Sequence, residues 1–465
     1  MHSFPSDASS RRLPFSRLEW EALALAVIIA HAFYARGLIF PSAFDALQYR
    51  NVATDIGNVG LFAKFAFADL RSYGYPLFLL ALKGVADVLS VPWELVAFEA
   101  QLALYVAVVA CLRANIGVAS PRLARIVFIT LVLNPLALLY TTDTLSESLS
   151  ITPIVLAAAC WTRMYVGGAP SWPALAIGSL AIGFAVVVRP GNVYAVVPWI
   201  VAVFVVAWAH RFTIRQRALA GLATIAFLAL PMIPQVAINV RNFDTWTPLV
   251  TYKLGALQHY AGVVNLKYAT GLPPVADSRI FYRNPFAEGH AVDRFRAHVW
   301  YFEHPLAGIA TIALHLFGML DQDLLFTYTR DLDPWYRRPL GVLTHGAVAL
   351  AVLGLALLIS RARTDRSARA IAITVGVFVL AHLAVHATTA VEMRFGLALL
   401  VLAGPLAGWF VSTFWPRQTA WRRGVLAVFV IGWIAGSLVL SDWMRAQAPQ
   451  IVAWEAGVPY VPKPQ

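Results

Sequence analysis

Long apolar runs alternate along most of the chain with short polar segments in which arginines cluster. A hydrocarbon core about 30 Å thick needs about 20 apolar residues in an α-helix, and cytoplasmic segments carry an excess of arginine. These two rules predict eleven spanning helices, near residues 20–39, 93–113, 122–140, 145–165, 172–188, 191–209, 217–238, 340–360, 370–390, 395–415 and 421–440. The N-terminus is then expected inside and the C-terminus outside.

Two further apolar segments, near residues 75–90 and 305–326, do not fit this alternation. Counting either as a crossing would invert the arginine pattern after it. The first is short for a span and carries Lys83 and Asp87. Non-helical backbone at membrane depth is tolerated only where protein or a water-filled cavity covers it. We therefore expect both segments to be interfacial or re-entrant and to line a cavity open to the outer face.

Composition supports an all-α polytopic membrane protein. Hydrophobic residues make up 59% of the chain and charged residues 13%, whereas about 25% charged residues is usual in a soluble domain. The net charge of +12 follows from the arginines of the inner loops and gives no indication of nucleic acid. We expect one transmembrane domain over residues 1–440, with outer-face loops 40–92 and 239–339 and an outer-face tail 441–465.

Two smaller features limit the interpretation further. Cys111 and Cys160 both lie in apolar helices and offer neither a disulfide framework nor metal-ligand spacing. The N-terminal segment is basic and lacks a convincing small-residue cleavage site, so the first span is interpreted as uncleaved. We expect a multi-pass protein of the bacterial inner membrane, with its active site facing the periplasm or the cell exterior.

Asp45 and Tyr49 follow the first predicted span, four residues apart. On a short helix they share one face. A partly desolvated carboxylate at the membrane surface is suited to take a proton from an attacking hydroxyl or amine. The alternative, given about equal weight, is that Asp45 only caps the N-terminus of a helix over residues 46–56.

Arg71 and Arg189 each lie next to an apolar helix on the expected outer side. An ionisable residue at this depth is a functional hypothesis by default, and the planar guanidinium matches phosphate oxygens. The alternative is a structural ion pair with Asp or Glu. Arg71 also opens the motif Arg-x-x-Gly-Tyr-Pro, which contains Tyr75.

Two more acid-containing motifs lie at outer helix ends. Asp143 and Glu147 are four residues apart, and a capping-box arrangement explains Asp143 well, whereas Glu147 lies inside an apolar helix and needs a cationic partner. Glu392 and Arg394 are two residues apart, so each is expected to point at a different partner.

Other candidate motifs give weaker signals. His382 and His386 have zinc-like spacing, but without a third ligand a hydrogen-bonded core pair is the favoured interpretation. The acidic pairs Asp321/Asp323 and Asp331/Asp333 are interpreted as solvated or cavity-rim groups. The chain contains no Gly-Lys dipeptide, which excludes a P-loop.

In their order and membrane side, these motifs resemble those of the C-type (GT-C) integral membrane glycosyltransferases, over most of residues 20–415. The nearest branches are the bacterial protein-mannosyltransferase-like and aminoarabinose-transferase-like enzymes. The resemblance implies inverting transfer of a sugar from a polyprenyl-phosphate donor to an acceptor at the outer face, with Asp45 as base. It also implies that arginines hold the lipid phosphate, a role that falls to Arg71, Arg189 and Arg394.

The remaining expectations concern substrates and cofactors. The protein-mannosyltransferase branch has an Asp-Glu pair where this chain has Asp45 followed by Ala, which argues against a protein acceptor and favours a lipid or glycan. No cofactor is assigned, and a divalent metal stays an open alternative. Sugar and acceptor contacts are expected in the long outer loop and on the motifs above: Tyr49, Tyr75, Asp143, Glu147, Tyr252, Lys253, His259, Tyr260, Tyr282 and Glu392.

Two other functions are compatible with a polytopic chain. A transporter or flippase of lipid-linked sugars would need a charged pathway open alternately to both sides, whereas the ionisable groups here cluster towards one face. An oligosaccharide ligase or polymerase of the other membrane-transferase architecture would lack the acid directly after the first span.

Overall fold

The computed structural model describes residues 14–35, 44–167, 171–251, 254–272, 278–290, 292–389 and 391–453. These residues form eighteen α-helices, four short 3₁₀ segments and four strands. The helices are α1 (Arg17–Ala35), α2 (Phe44–Val59), α3 (Gly74–Leu89), α4 (Trp93–Ala119), α5 (Pro121–Val132), α6 (Pro135–Thr141), α7 (Ser146–Val166), α8 (Trp172–Val188), α9 (Val196–Ala209), α10 (Ile214–Ala229), α11 (Ile233–Phe243), α12 (Leu254–Val264), α13 (Ala297–Glu303), α14 (Pro305–Leu320), α15 (Arg337–Arg361), α16 (Arg366–His386), α17 (Leu397–Thr413) and α18 (Ala420–Arg445).

The apolar runs are helical, as the sequence predicts. Within the described residues, nine helices are long and apolar enough to cross a membrane, and the bent pair α5 and α6 makes a tenth if it is counted as one span. The eleventh predicted segment is α8, an apolar helix of 17 residues. The expected fold class, an all-α polytopic membrane protein, is therefore confirmed.

A proline and an asparagine cause the bend between α5 and α6. Pro135 occupies the first turn of α6, where its missing N–H is not needed, and the Asn134 side chain accepts hydrogen bonds from the first backbone N–H groups. The two axes differ by 52°. The bend directs the chain into the turn that carries Asp143, so local sequence places a candidate site residue.

The two segments expected not to cross form α3 and α14, each of 16 residues. At 1.5 Å per residue each is about 24 Å long, short of the hydrocarbon thickness of about 30 Å. Length alone does not distinguish them from α8, which has 17 residues, so the interfacial or re-entrant position stays a prediction. The side of the membrane on which they lie stays a prediction.

Loop 239–339 and the segment after α18 form a small sheet that the sequence analysis does not predict. Its strands are β1 (Asn265–Gly271), β2 (Ser278–Arg283), β3 (Tyr328–Thr329) and β4 (Pro449–Ala453), in the order β3-β1-β2-β4. β1 and β2 are antiparallel, β3 runs parallel to β1, and β4 is antiparallel to β2. The sheet thus joins three segments distant in sequence, including the one that follows α18.

Candidate functional site

The site is built around the first turn of α2. Asp45 is buried there, one residue after Phe44, whose φ of 45° begins the helix. The backbone N–H of Asp45 donates to Tyr328 Oη at 3.1 Å, and the Phe44 and Tyr328 rings pack at 5.3 Å. Strand β3 therefore positions the start of α2. The carboxylate of Asp45 bonds arginines, not the helix backbone, so the capping alternative for Asp45 is wrong.

Three arginines from separate parts of the chain converge on the Asp45 carboxylate. Arg71 donates to Oδ1 at 2.6 Å and Arg394 to Oδ2 at 2.7 Å. Arg279, on β2, lies 3.9 Å from Oδ1. Burial alone would raise the pKa of the Asp45 carboxyl, but the three positive charges outweigh it and hold that pKa well below its ordinary value. Asp45 is thus ionised and tightly held.

Tyr49 lies one turn further along α2, on the same helix face as Asp45, as the spacing predicts. Arg71 stacks over the Tyr49 ring at 4.7 Å and donates to Tyr49 Oη at 3.4 Å. Arg71 also donates to the Gln48 side-chain oxygen at 2.6 Å. These contacts hold the guanidinium against Asp45. Arg71 therefore forms the structural ion pair given as the alternative in the sequence analysis, and it also lies at the candidate binding site.

Arg394 connects Asp45 with two further carboxylates. It bonds Glu392 through Nε and lies 3.1 Å from Glu147 Oε1. The expectation that Glu392 and Arg394 point at different partners is wrong. It assumed a helix, but Glu392 has extended backbone and a 3₁₀ turn, Met393–Gly396, follows it, so the Arg394 side chain folds back onto Glu392.

Glu147 also pairs with Arg189, the arginine between α8 and the 3₁₀ turn Pro190–Ala195. Glu147 is in the first turn of α7, and its cationic partner is found as the sequence requires. Arg189 additionally faces the Phe395 ring at 5.5 Å. One oxygen of Glu147 and one of Glu392 are buried without a hydrogen-bond partner within the described residues.

Asp143 is buried in the turn between α6 and α7. Its Oδ1 accepts from the Thr144 N–H at 2.6 Å, and its Oδ2 has no described hydrogen-bond partner. Leu145 precedes α7 without a side-chain cap, so the capping interpretation of Asp143 is wrong. Burial, together with the nearby charge of Glu147, raises the pKa of Asp143 to about 8.

Gln101 and Tyr75 support this turn. The Gln101 amide donates to the carbonyl oxygens of Thr141 and Asp143 at 3.0 and 2.8 Å. Tyr75 Oη donates to the Gln101 side-chain oxygen at 3.3 Å, and its ring meets the Tyr49 ring edge-on at 5.0 Å. Tyr75 is therefore a buried link between the Asp143 turn and α2.

The predicted residues of the long loop lie elsewhere or outside the described residues. Tyr252 and Lys253 are outside them. His259, on α12, hydrogen-bonds the Thr388 side chain at 2.9 Å, and its described contacts do not include the Asp45 arginines. His382 is buried and its Nε2 bonds the Phe395 backbone oxygen at 2.9 Å, which agrees with the hydrogen-bonded core interpretation for that histidine; the His386 ring lies 4.8 Å from it and is half-buried.

The sequence analysis missed three residues that shape the site. Arg279 and Tyr328 arrive on β2 and β3, and Tyr268 on β1 donates to Glu392 Oε2 at 3.0 Å. All three come from the unpredicted sheet. The signal available was the run of polar and aromatic residues in loop 239–339, which does not identify individual side chains.

A second buried ionic network lies beside the sheet and corrects the interpretation of Asp321 and Asp323 as solvated groups. Lys267 bonds both, at 3.1 and 2.7 Å, and Arg445 bonds Asp323 at 2.6 Å. His345 and Ser441 complete the shell of Asp321. Lys267 precedes Tyr268 on β1, so this network ties α18 to the strand that supports Glu392. Asp331 and Asp333 are exposed, as expected.

The residues of the site do not match a metal centre. Within the described ranges, no group of three or more His, Cys, Asp or Glu side chains is placed to hold a metal ion. Asp45, the acid best placed for such a role, is already surrounded by arginines. The arginine side chains around Asp45 are hydrogen-bond donors suited to an anion, and no metal is assigned a role in the proposed reaction.

No protein-family model and no curated protein matches the sequence. Among solved structures, the chain is similar to the Archaeoglobus fulgidus oligosaccharyltransferase, crystallised tethered through a disulfide bond to an acceptor peptide with the NVT sequon. The TM-score is 0.46 at 11% identity, and the alignment covers 92% of this chain and 55% of the solved one. The chain thus spans about half the length of that neighbour, and no residue role is transferred from it.

Proposed function

We propose that this multi-pass membrane protein is a glycosyltransferase. It moves a sugar from a polyprenyl-phosphate donor to a lipid or glycan acceptor at the outer membrane face, with inversion and with Asp45 as base. The observation that carries the proposal is the convergence of Arg71, Arg279 and Arg394 on one buried carboxylate, that of Asp45. The order of the sequence motifs supports the same class.

The charge of the cluster favours a singly charged donor. Four guanidinium groups, those of Arg71, Arg189, Arg279 and Arg394, face the carboxylates of Asp45, Glu147 and Glu392. The fourth acid of the site, Asp143, is counted as neutral at pH 7 because burial raises its pKa to about 8. One positive charge is left in excess. A polyprenyl-phosphate sugar is a phosphodiester with one negative charge and balances it, whereas a diphosphate-linked donor brings two. Arginine forks bind phosphate oxygens through charge-assisted hydrogen bonds.

Donor binding would activate Asp45. In the arginine clamp its carboxylate is a poor base, because the arginines hold its pKa low. When a bound phosphate accepts hydrogen bonds from Arg71 or Arg394, those arginines no longer donate fully to the Asp45 carboxylate. With less positive charge nearby and burial unchanged, the pKa of Asp45 rises and the carboxylate accepts a proton more readily.

In the proposed transfer step, every bond, proton and charge is accounted for. The acceptor hydroxyl loses its proton to Asp45 while its oxygen bonds the anomeric carbon, and the bond from that carbon to the phosphate oxygen breaks. The leaving polyprenyl phosphate takes the bonding electrons and gains negative charge. Arginines already placed around it stabilise that charge more in the transition state than in the bound donor, which is the condition for catalysis.

An in vitro transfer assay tests the proposal. The purified protein is incubated in lipid vesicles with radiolabelled polyprenyl-phosphate sugars and membrane-extracted lipid and glycan acceptors. In folded Asp45→Asn protein, donor binding should be at least as strong as in the wild type, because the carboxylate no longer competes for the arginines. Turnover should fall by about a hundredfold or more, the usual weight of general-base catalysis. The control for the same Asp-to-Asn change is Asp87→Asn, because Asp87 is an exposed carboxylate whose described ion-pair partner is Lys83, one turn away on α3.

Two results would overturn the proposal. Near-normal turnover in Asp45→Asn removes Asp45 from the mechanism. Movement of labelled donor across the vesicle membrane without formation of a sugar-acceptor product would instead establish the transporter alternative.

A further inference from the structure

A large cavity lies apart from the site, between α5, α7, α9, α16 and α17. Its volume is about 2060 Å³, whereas small-molecule pockets usually measure about 300–1,000 Å³. Its walls carry apolar and aromatic side chains, among them Ile154, Trp161, Phe378 and Leu402. A space of this size and lining suits long hydrocarbon chains.

Arginines surround one end of the cavity. This basic rim consists of six residues: Arg163, Arg211, Arg217, Arg361, Arg366 and Arg369. Among the described residues that line the cavity, the one acid is Asp365, and its carboxylate accepts from the first N–H groups of α16, where it caps the helix. The rim is thus strongly positive, and its acid is already engaged.

The rim lies at the opposite end of α7 from the Asp45 cluster. Glu147 is in the first turn of α7, at the cluster, and Arg163 is in its last turn, at the rim, sixteen residues later. At 1.5 Å per residue this is about 24 Å along the helix. The cavity is therefore not the site of the proposed transfer, and its occupant need not be a substrate.

We propose that this cavity binds an anionic phospholipid, with its acyl chains between the apolar walls and its phosphate on the basic rim. Basic pockets between transmembrane helices on the cytoplasmic side are typical binding places for anionic headgroups. Inner-loop arginines are common in any membrane protein. Here, however, they border a concave apolar space rather than a flat helix surface, and this favours one held lipid over general contact with the leaflet.

The test measures thermal unfolding of the purified full chain in detergent during titration with phosphatidylglycerol, phosphatidylcholine or soluble glycerol phosphate. Phosphatidylglycerol should raise the unfolding temperature saturably, and the other two should have little effect. Equal stabilisation by phosphatidylcholine would overturn the charge requirement. Stabilisation by glycerol phosphate alone would show that the acyl chains, and hence the cavity, are not needed.

Two pairs of variants locate the lipid. Arg163→Gln with Arg217→Gln should weaken the apparent affinity about thirtyfold, since each arginine near an anionic headgroup contributes about fivefold. The control is Arg422→Gln, an exposed arginine of α18 that does not line the cavity. Ala158→Trp should obstruct part of the cavity and weaken the saturable stabilisation, whereas Ala218→Trp, on an exposed face of α10, should leave it unchanged.

The proposal fails if either test pair behaves like its control. Loss of binding in the arginine variants with normal binding in Ala158→Trp would place the headgroup on the surface and the chains outside the cavity. These readouts do not depend on transfer activity, so they are independent of the proposed function.

Discussion

Removal of the Arg394 side chain should lower both the stability of the protein and its transfer activity, and a second substitution should restore only the stability. Its side chain contacts Asp45, Glu147 and Glu392 and is only 10% exposed. In Arg394→Ala, Asp45 retains Arg71 and Glu147 retains Arg189, but Glu392 keeps only the hydrogen bond from Tyr268 among its described partners. The Glu392 side chain is 1% exposed, so the variant removes the cation that bonds this buried carboxylate directly and leaves it only the more distant charge of Arg279.

The expected loss in the free energy of unfolding follows from the missing ion pair of Glu392. Breaking a buried ion pair by removing one partner typically costs about 3–5 kcal/mol. The free energy of unfolding of Arg394→Ala should fall by that amount. Adding Glu392→Gln removes the unpaired charge, so the double variant should recover most of the loss. Because the arginine is still missing from the phosphate site, transfer activity should stay low in both.

The assay is unfolding by SDS titration in mixed micelles, with transfer measured on the same preparations. Arg394→Lys is the matched conservative variant. It keeps the charge near Glu392 but loses the fork, so stability should be largely retained and donor affinity reduced. Wild-type stability in Arg394→Ala, or no recovery on adding Glu392→Gln, would refute the ion-pair reasoning. Recovery of activity in the double variant would refute a role in donor binding.

Three further predictions use other parts of the chain. The raised pKa of Asp143 means that the folded state binds a proton that the unfolded state has released, so stability should fall as pH rises from about 4 to about 8. Asp143→Asn should lack this slope, and an unchanged slope in urea or SDS titrations would contradict the assignment. Cysteines at Lys83 and Asp331, both outside the buried network, should react with an impermeant reagent from the outer face, and labelling from the cytoplasm alone would break the topology. Gly396→Ala should weaken stability and donor binding because its Cβ meets a backbone carbonyl at the end of α14, whereas Gly376→Ala, with nothing nearby, should be tolerated in the same thermal and binding assays.

The apolar helices could be predicted because their signal is local. Twenty consecutive apolar residues identify a span without knowledge of its neighbours, and all eleven predicted segments are helical. The sheet could not be predicted in this way. Its strands are short, and their pairing joins segments as distant in sequence as β2 and β4.

The functional site likewise contains some residues that local sequence predicts and others that only the tertiary structure brings in. Asp45 and Arg71 belong to neighbouring motifs and were both expected at the site, whereas Arg279 reaches it only through the sheet. Asp321 and Asp323 look like solvated acids because their partners, Lys267 and Arg445, are 54 and 122 residues away. Local sequence identifies groups that carry charge, but the partners that decide their roles are set by tertiary structure.

The central claim is that the donor phosphate and Asp45 compete for the same arginines. The most direct measurement is the pH dependence of transfer, with kcat/KM for the donor reporting the free protein and kcat the donor complex. Activity falls as pH falls through the pKa of the base. We predict that the acid limb of kcat lies at higher pH than that of kcat/KM, because the bound phosphate draws arginines from Asp45, and that Asp45→Asn abolishes both limbs. Acid limbs at the same pH, or a limb that persists in Asp45→Asn, would contradict the account.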